Sequence, residues 1–181
     1  MKKTVLIGMP NTGKSTFFNK ISGASARVGN WPGITVDLSS IKTLINGEMT
    51  ELIDLPGIYN LNGYSEDEEV VINFIDNNKI DQVFFIMNST QIDRQLPLAI
   101  SIQKLGVPVI ILANMIDEAK ALGITFDFEQ MTKLLGCPVL PISAKYGHGL
   151  EKINNTINTP KKIKADLQAI DEQLLSQKIF D

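Results

Sequence analysis

The sequence predicts an α/β domain with a mostly parallel sheet of about six strands, one antiparallel edge strand, and helices on both faces. Three observations predict it. Short β-branched and apolar runs alternate with segments whose apolar residues recur at helical spacing. A glycine-rich loop, GMPNTGKST from Gly8 to Thr16, joins the first run to the first helical segment. Asn46-Gly47 stands between two further strand-like runs, where it supplies the positive φ angles that a two-residue hairpin demands.

Taken in order, residues 4–7 form a short strand that ends in the glycine-rich loop, and residues 14–21 carry the first helix. Residues 36–45 and 49–53 are the hairpin strands and the source of the antiparallel edge. A helix capped by Ser65 covers residues 66–77, and a buried strand covers 82–87. A second helix–strand unit follows at about 93–105 and 107–112. Residues 127–135 read as a helix, 138–142 as a last short strand, and 150–157 as a helix packing back on the sheet. From Pro160 onward the chain is richer in charge, and Ile163, Leu167, Ile170, Leu174 and Leu175 mark one apolar stripe. The division is therefore 1–159 for the sheet domain and 160–181 for a helical segment that opens a truncated helical domain.

Composition narrows the partners. The 181 residues suit one α/β domain, and 44% hydrophobic residues are ample for its core. A formal net charge of −3 gives no basic footprint, so no nucleic-acid partner is expected. Cys137 is the only cysteine, which excludes an internal disulfide and suits a reducing compartment, with core packing as its role. The longest apolar runs, residues 83–87 and 107–115, are too short to span a membrane, so this segment is expected to be soluble.

Four motifs carry chemistry. Gly8, Gly13, Lys14 and Ser15 fit G-x-x-x-x-G-K-[ST], in which backbone N–H groups wrap a polyphosphate and the lysine reaches its outer phosphates. Pro10, Asn11, Thr12 and Thr16 complete that cradle. Asp54-Leu-Pro-Gly57 closes a strand, placing a carboxylate where it can hold Mg²⁺ through water and the Gly57 N–H where it can meet the terminal phosphate. Asn114-Met-Ile-Asp117 and Ser143-Ala144-Lys145 each follow a predicted strand, on the side where open α/β sheets bind ligands. An aspartate there can accept from both N1 and the exocyclic amine of guanine, a pair of donors that adenine lacks. Each short motif also has a plain reading: a strand-ending turn for DLPG, a helix cap for N-x-x-D. Their order, each at a strand end, favours a guanine-nucleotide site.

These residues resemble the translation-factor-related GTPases, with a Ras-like P-loop G domain, although Met115 stands where the base-reading motif usually has lysine. GNWPGITVD at 29–37, DLPGIYNL at 54–61, SEDE at 65–68, DRQLPL at 93–98 and NMIDEA at 114–119 are together similar to the cytosolic G domain of the bacterial ferrous iron transport protein B (FeoB) family. The resemblance runs from about residue 3 to 157. It implies a domain that binds GTP and GDP with Mg²⁺, hydrolyses GTP slowly, and works at the cytoplasmic face of the inner membrane. Its partner would be a membrane-embedded iron-transport region absent from this chain, with self-association left open, and the chain would be a fragment or a stand-alone relative.

The same resemblance implies the site roles. Lys14 contacts the outer phosphates, and Ser15, Asp54 and Thr35 belong to the Mg²⁺ shell, Thr35 with Gly33 and Ile34 in the first switch. Met115 lies along the base beside Asn114 and Asp117. Asn11 resembles the asparagine of potassium-activated GTPases, where K⁺ supplies the positive charge of an arginine finger; Asn11, Lys14, Thr35 and Gly57 are thus the catalytic set. From the residues alone, Asn11 could equally serve a left-handed turn. Ile58 follows DLPG where Ras-type enzymes place a water-orienting glutamine, and isoleucine cannot take that part. Trp31 reads either as a reporter inside a movable switch or as a packing residue. His148, between two glycines, reads as a loop residue, and the acidic run 66–69 as helix-dipole stabilisation. Two other classes stay open: a ribosome- or RNA-associated GTPase, and a binding module with negligible turnover.

Overall fold

The structure, a computed structural model, describes residues 1–156. Its seven strands are β1 (Lys2–Gly8), β2 (Arg27–Gly29), β3 (Leu38–Ile45), β4 (Glu48–Asp54), β5 (Gln82–Asn88), β6 (Val109–Asn114) and β7 (Val139–Pro141). Its helices are α1 (Lys14–Ser22), α2 (Glu66–Asn77), α3 (Ile92–Gln103), α4 (Ile116–Ala121), α5 (Phe128–Leu135) and α6 (Glu151–Asn155). The strands form one sheet in the order β2-β3-β4-β1-β5-β6-β7. β3 alone runs against the rest, since it pairs antiparallel with both β2 and β4 while the other pairs are parallel.

The hairpin forms as its turn residues demand. Ile45 pairs with Glu48 across Asn46 and Gly47, whose φ values are 53° and 75°. Two features differ from the sequence-based expectation. The sheet has seven strands and not six, because three exposed residues, Arg27–Gly29, add β2 outside β3. So short and exposed a strand shows no alternation of apolar and polar residues to betray it. A short helix, α4, also follows β6, started by Met115 in the left-handed region.

The parallel strands are buried on both faces, which is why they read as continuous apolar runs. Val5, Ile7, Phe85 and Met87 pack on the α2–α3–α5 face, while Leu6, Phe84 and Ile86 point to the α1–α6 face with Phe17 and Ile153. Successive residues of β1 and β5 thus serve opposite layers. The sheet is thereby fixed as a rigid frame whose carboxyl ends carry the loops of interest. Among the described residues no helix is long and apolar enough to cross a membrane. The expected segment 160–181, the domain boundary at 159 and the last residue of the helix expected at 150–157 lie outside the described residues.

Candidate functional site

The phosphate-loop sequence folds as a tight backbone concavity between β1 and α1. Asn11 (φ 62°) and Gly13 (φ 82°) take left-handed conformations on either side of Thr12, and left-handed residues interleaved in a turn bring successive N–H groups to one side. Three glycines are there for space. A Cβ on Gly13 would stand 2.2 Å from Asn114 Nδ2, one on Gly8 2.7 Å from the Ile86 carbonyl oxygen, and one on Gly57 3.1 Å from the Pro10 nitrogen. The buried Thr12 hydroxyl donates to the Met9 carbonyl at 2.9 Å, closing the loop on itself. α1 starts directly after Gly13, so its unpaired N–H groups and positive dipole end face the concavity.

DLPG meets this loop from the side. The Ile58 N–H donates to the Gly8 carbonyl at 3.0 Å, and Lys14 Nζ forms an ion pair with Asp54 at the end of β4. Both side chains are largely shielded, 12% and 17% exposed, so the charges interact through little solvent. Ser15 and Thr16 are exposed beside them.

Asn114 locks three loops together. Its Nδ2 donates to the Thr12 carbonyl at 3.0 Å and its Oδ1 accepts from the Ala144 N–H at 2.9 Å, both bonds buried. Met115 then turns left-handed (φ 60°), which puts the half-buried Asp117 in the first turn of α4. Ser143 and His148 exchange backbone bonds of 3.0 and 3.1 Å, so the SAK segment is a small closed loop, with Lys145 exposed over the Tyr146 ring. His148 is therefore an exposed loop residue, and no group of potential metal-ligating side chains surrounds it among the described residues.

The segment expected to be the first switch lies apart from these loops. Thr35 is exposed and hydrogen-bonded to nothing among the described residues, and the Ile34 N–H closes a turn on the Trp31 carbonyl at 3.1 Å. Gly33 (φ 76°) abuts Asn77. Ile58 is a core residue, 1% exposed, so it faces no attacking water. In the acidic run, Glu68 is buried; its carboxylate accepts from the Tyr64 N–H at 3.0 Å and its own N–H donates to Ser65 Oγ at 3.2 Å. That is a helix-capping arrangement. Burial pushes the Cys137 thiol up to about 12, against a lowering bond from Gln103, in keeping with a packing role.

Sequence reasoning passed over Gln95. Buried on α3, it accepts from the Asn88 N–H at 2.9 Å and donates to the Asn88 and Gln91 carbonyls, fixing the end of β5. Ser89 in turn donates its N–H to the Asn114 carbonyl. A glutamine on an otherwise apolar helical face was the available signal.

Residues 2–157 match the family described as ferrous iron transport protein B. An Fe(2+) transporter FeoB of Synechocystis sp. is 48% identical over 161 residues, covering 89% of this chain and 26% of the relative. Its counterpart in Legionella pneumophila (strain Paris) is 34% identical, covering 97% of this chain and 24% of the relative. The chain thus spans about a quarter of the length of these curated relatives. Among solved structures, the cytosolic domain of L. pneumophila FeoB aligns with a TM-score of 0.80 at 36% identity, over 85% of this chain and 61% of that one. The cytosolic domain of the T. maritima FeoB iron transporter in its GMPPNP form gives 0.80 at 35%, over 86% and 62%. An S. thermophilus NFeoB point mutant bound to GDP gives 0.78 at 35%, over 86% and 61%.

Proposed function

The chain belongs to the ferrous iron transport protein B family, and on that premise we propose that it is a nucleotide switch that hydrolyses GTP to GDP and phosphate. We read residues 1–159 as the G domain. A membrane-embedded region beyond this chain would carry ferrous iron, with the switch at the cytoplasmic face of the inner membrane. The observation that carries the reading is Asn114, whose two buried bonds join the phosphate loop to NMID and SAK. One ligand with a base at one end and phosphates at the other fits that span. Similar domains solved with GDP and GMPPNP support it. The RNA-associated alternative is not favoured by the family match.

The residues fit the groups this function needs. A glycine at position 13 lets the loop close on the Asn114 amide, which any Cβ there would strike, and Lys14 stands ready to exchange Asp54 for the outer phosphates. The Ser15 and Thr35 hydroxyls would be oxygen donors to Mg²⁺, with the Asp54 carboxylate holding it through water. Bound Mg²⁺ and K⁺ would supply the positive charge that phosphoryl transfer needs. Asn11, exposed at the rim of the loop, is the side chain that would hold the K⁺. The Gly57 N–H would hold the terminal phosphate, Asp117 would read the guanine edge, and Met115 would lie along its face. With Ile58 in the core, the water would be positioned by groups other than that side chain.

The test is steady-state hydrolysis of GTP, with ATP as control, in KCl and NaCl at equal ionic strength, on the wild type and Asn11→Ala. GTP turnover stimulated only by K⁺, and lost in Asn11→Ala with nucleotide binding retained, is expected. Equal slow turnover in both salts would defeat the cation assignment, and equal turnover of ATP and GTP would defeat the guanine reading.

A further inference from the structure

We infer that the first-switch loop has a built resting seat on the C-terminal end of α2, and that Asn78 and Phe74 are positioning residues that set how readily GTP draws the loop away. The inference rests on the nucleotide-switch reading above. Four contacts define the seat. The Trp31 ring lies on Phe74 with centroids 5.3 Å apart, and Lys3 Nζ sits over the Trp31 ring, 5.3 Å from its centroid. Asn78 Nδ2 donates to the Pro32 carbonyl at 3.2 Å while also bonding the Phe74 carbonyl at 3.1 Å. Gly33, at φ 76°, packs against the Asn77 side chain.

These contacts have the character of a designed docking and not of a chance lie of the loop. Asn78 is buried, 9% exposed, and spends its amide on a carbonyl 46 residues away. Trp31-Pro32-Gly33-Ile34 is a closed turn with proline second and a left-handed glycine third, the pattern of a type II turn. The loop thus arrives at α2 with its shape already set.

The seat is on the wrong end of the molecule for chemistry. The last turn of α2 leads into Asp81, whose N–H bonds to the Lys3 carbonyl near the start of β1, whereas the phosphate loop leaves the far end of that strand. Seated, the loop leaves Thr35 exposed and, among the described residues, without a hydrogen bond. Switch segments of this kind are ordered by the terminal phosphate with its Mg²⁺ and released on hydrolysis, so GTP competes with the seat and GDP does not. The apparent affinity for GTP is then lowered by the seated fraction.

The test is calorimetric titration of the full chain with GDP and with GMPPNP, on wild type, Asn78→Ala and Lys3→Ala, alongside emission from Trp31, the only tryptophan. Asn78→Ala is expected to bind GMPPNP about fivefold tighter at unchanged GDP affinity, from the loss of one hydrogen bond that holds the seat. Lys3→Ala is expected to shift the same ratio about two- to fivefold, and it decides the matter should Asn78→Ala fail to fold. In the wild type, GMPPNP but not GDP should move Trp31 emission to the red as the ring leaves Phe74. A GMPPNP-to-GDP ratio unchanged in the folded variants, or Trp31 emission indifferent to GMPPNP, overturns the seat while leaving the nucleotide-switch reading intact. A wild type that binds neither nucleotide overturns both.

Discussion

Gly13 shows how much one position can be asked to do. Its φ of 82° is a conformation that side chains resist, and a Cβ there would meet the Asn114 amide at 2.2 Å, the group that ties the phosphate loop to NMID. Gly13→Ala is therefore expected to lower stability by at least about 2 kcal/mol, since strain and the loss of a buried bond act together. Thermal unfolding should drop by roughly 4–8 °C, and nucleotide binding should be lost. Gly13 and Lys14 were legible as a pattern, but the tie of their loop to Asn114, made through the Thr12 carbonyl 102 residues away, was not. Spacing identifies a residue type and says nothing of which distant amide closes on it. Asn11 and Met115 share the left-handed region with Gly13, so the turn-forming reading of Asn11 holds at the level of backbone, beside any part it takes with K⁺.

At the scale of elements, α2 repeats the lesson in reverse. Its bounds, Glu66–Asn77, and its Ser65 cap follow from the sequence, because S-x-x-E before an apolar run satisfies the free N–H groups of a first turn. Ser65→Ala is expected to cost about 1 kcal/mol. The thermal midpoint should fall by about 2–4 °C without loss of GDP binding, read by a melting curve and a titration. The C-terminal end of α2 was silent in the sequence. Asn78 and Phe74 look like an ordinary cap and core residue until Pro32 and Trp31 are seen against them. β2 was missed for a different reason: three exposed residues gain strand geometry only by pairing with β3.

At the scale of the molecule, the sheet holds four short motifs at the carboxyl ends of its strands, and a ligand that touches all four should brace the whole. GDP at about one hundred times its dissociation constant is expected to add about 2.7 kcal/mol of stability. The thermal midpoint should rise by roughly 5–10 °C, with ATP at the same concentration producing no such shift. The α/β class, the hairpin, the two-faced buried strands and the glycine-rich loop were all readable from the order of residues, because each depends on local spacing and on residue types that permit few backbone shapes. It took the folded molecule to show that Asn114 joins three loops, that Ile58 is buried in the core, and that Trp31 and Pro32 rest on Phe74 and Asn78. Those are contacts between segments far apart in the chain, and such contacts are fixed by how the layers pack and not by the order of neighbouring residues.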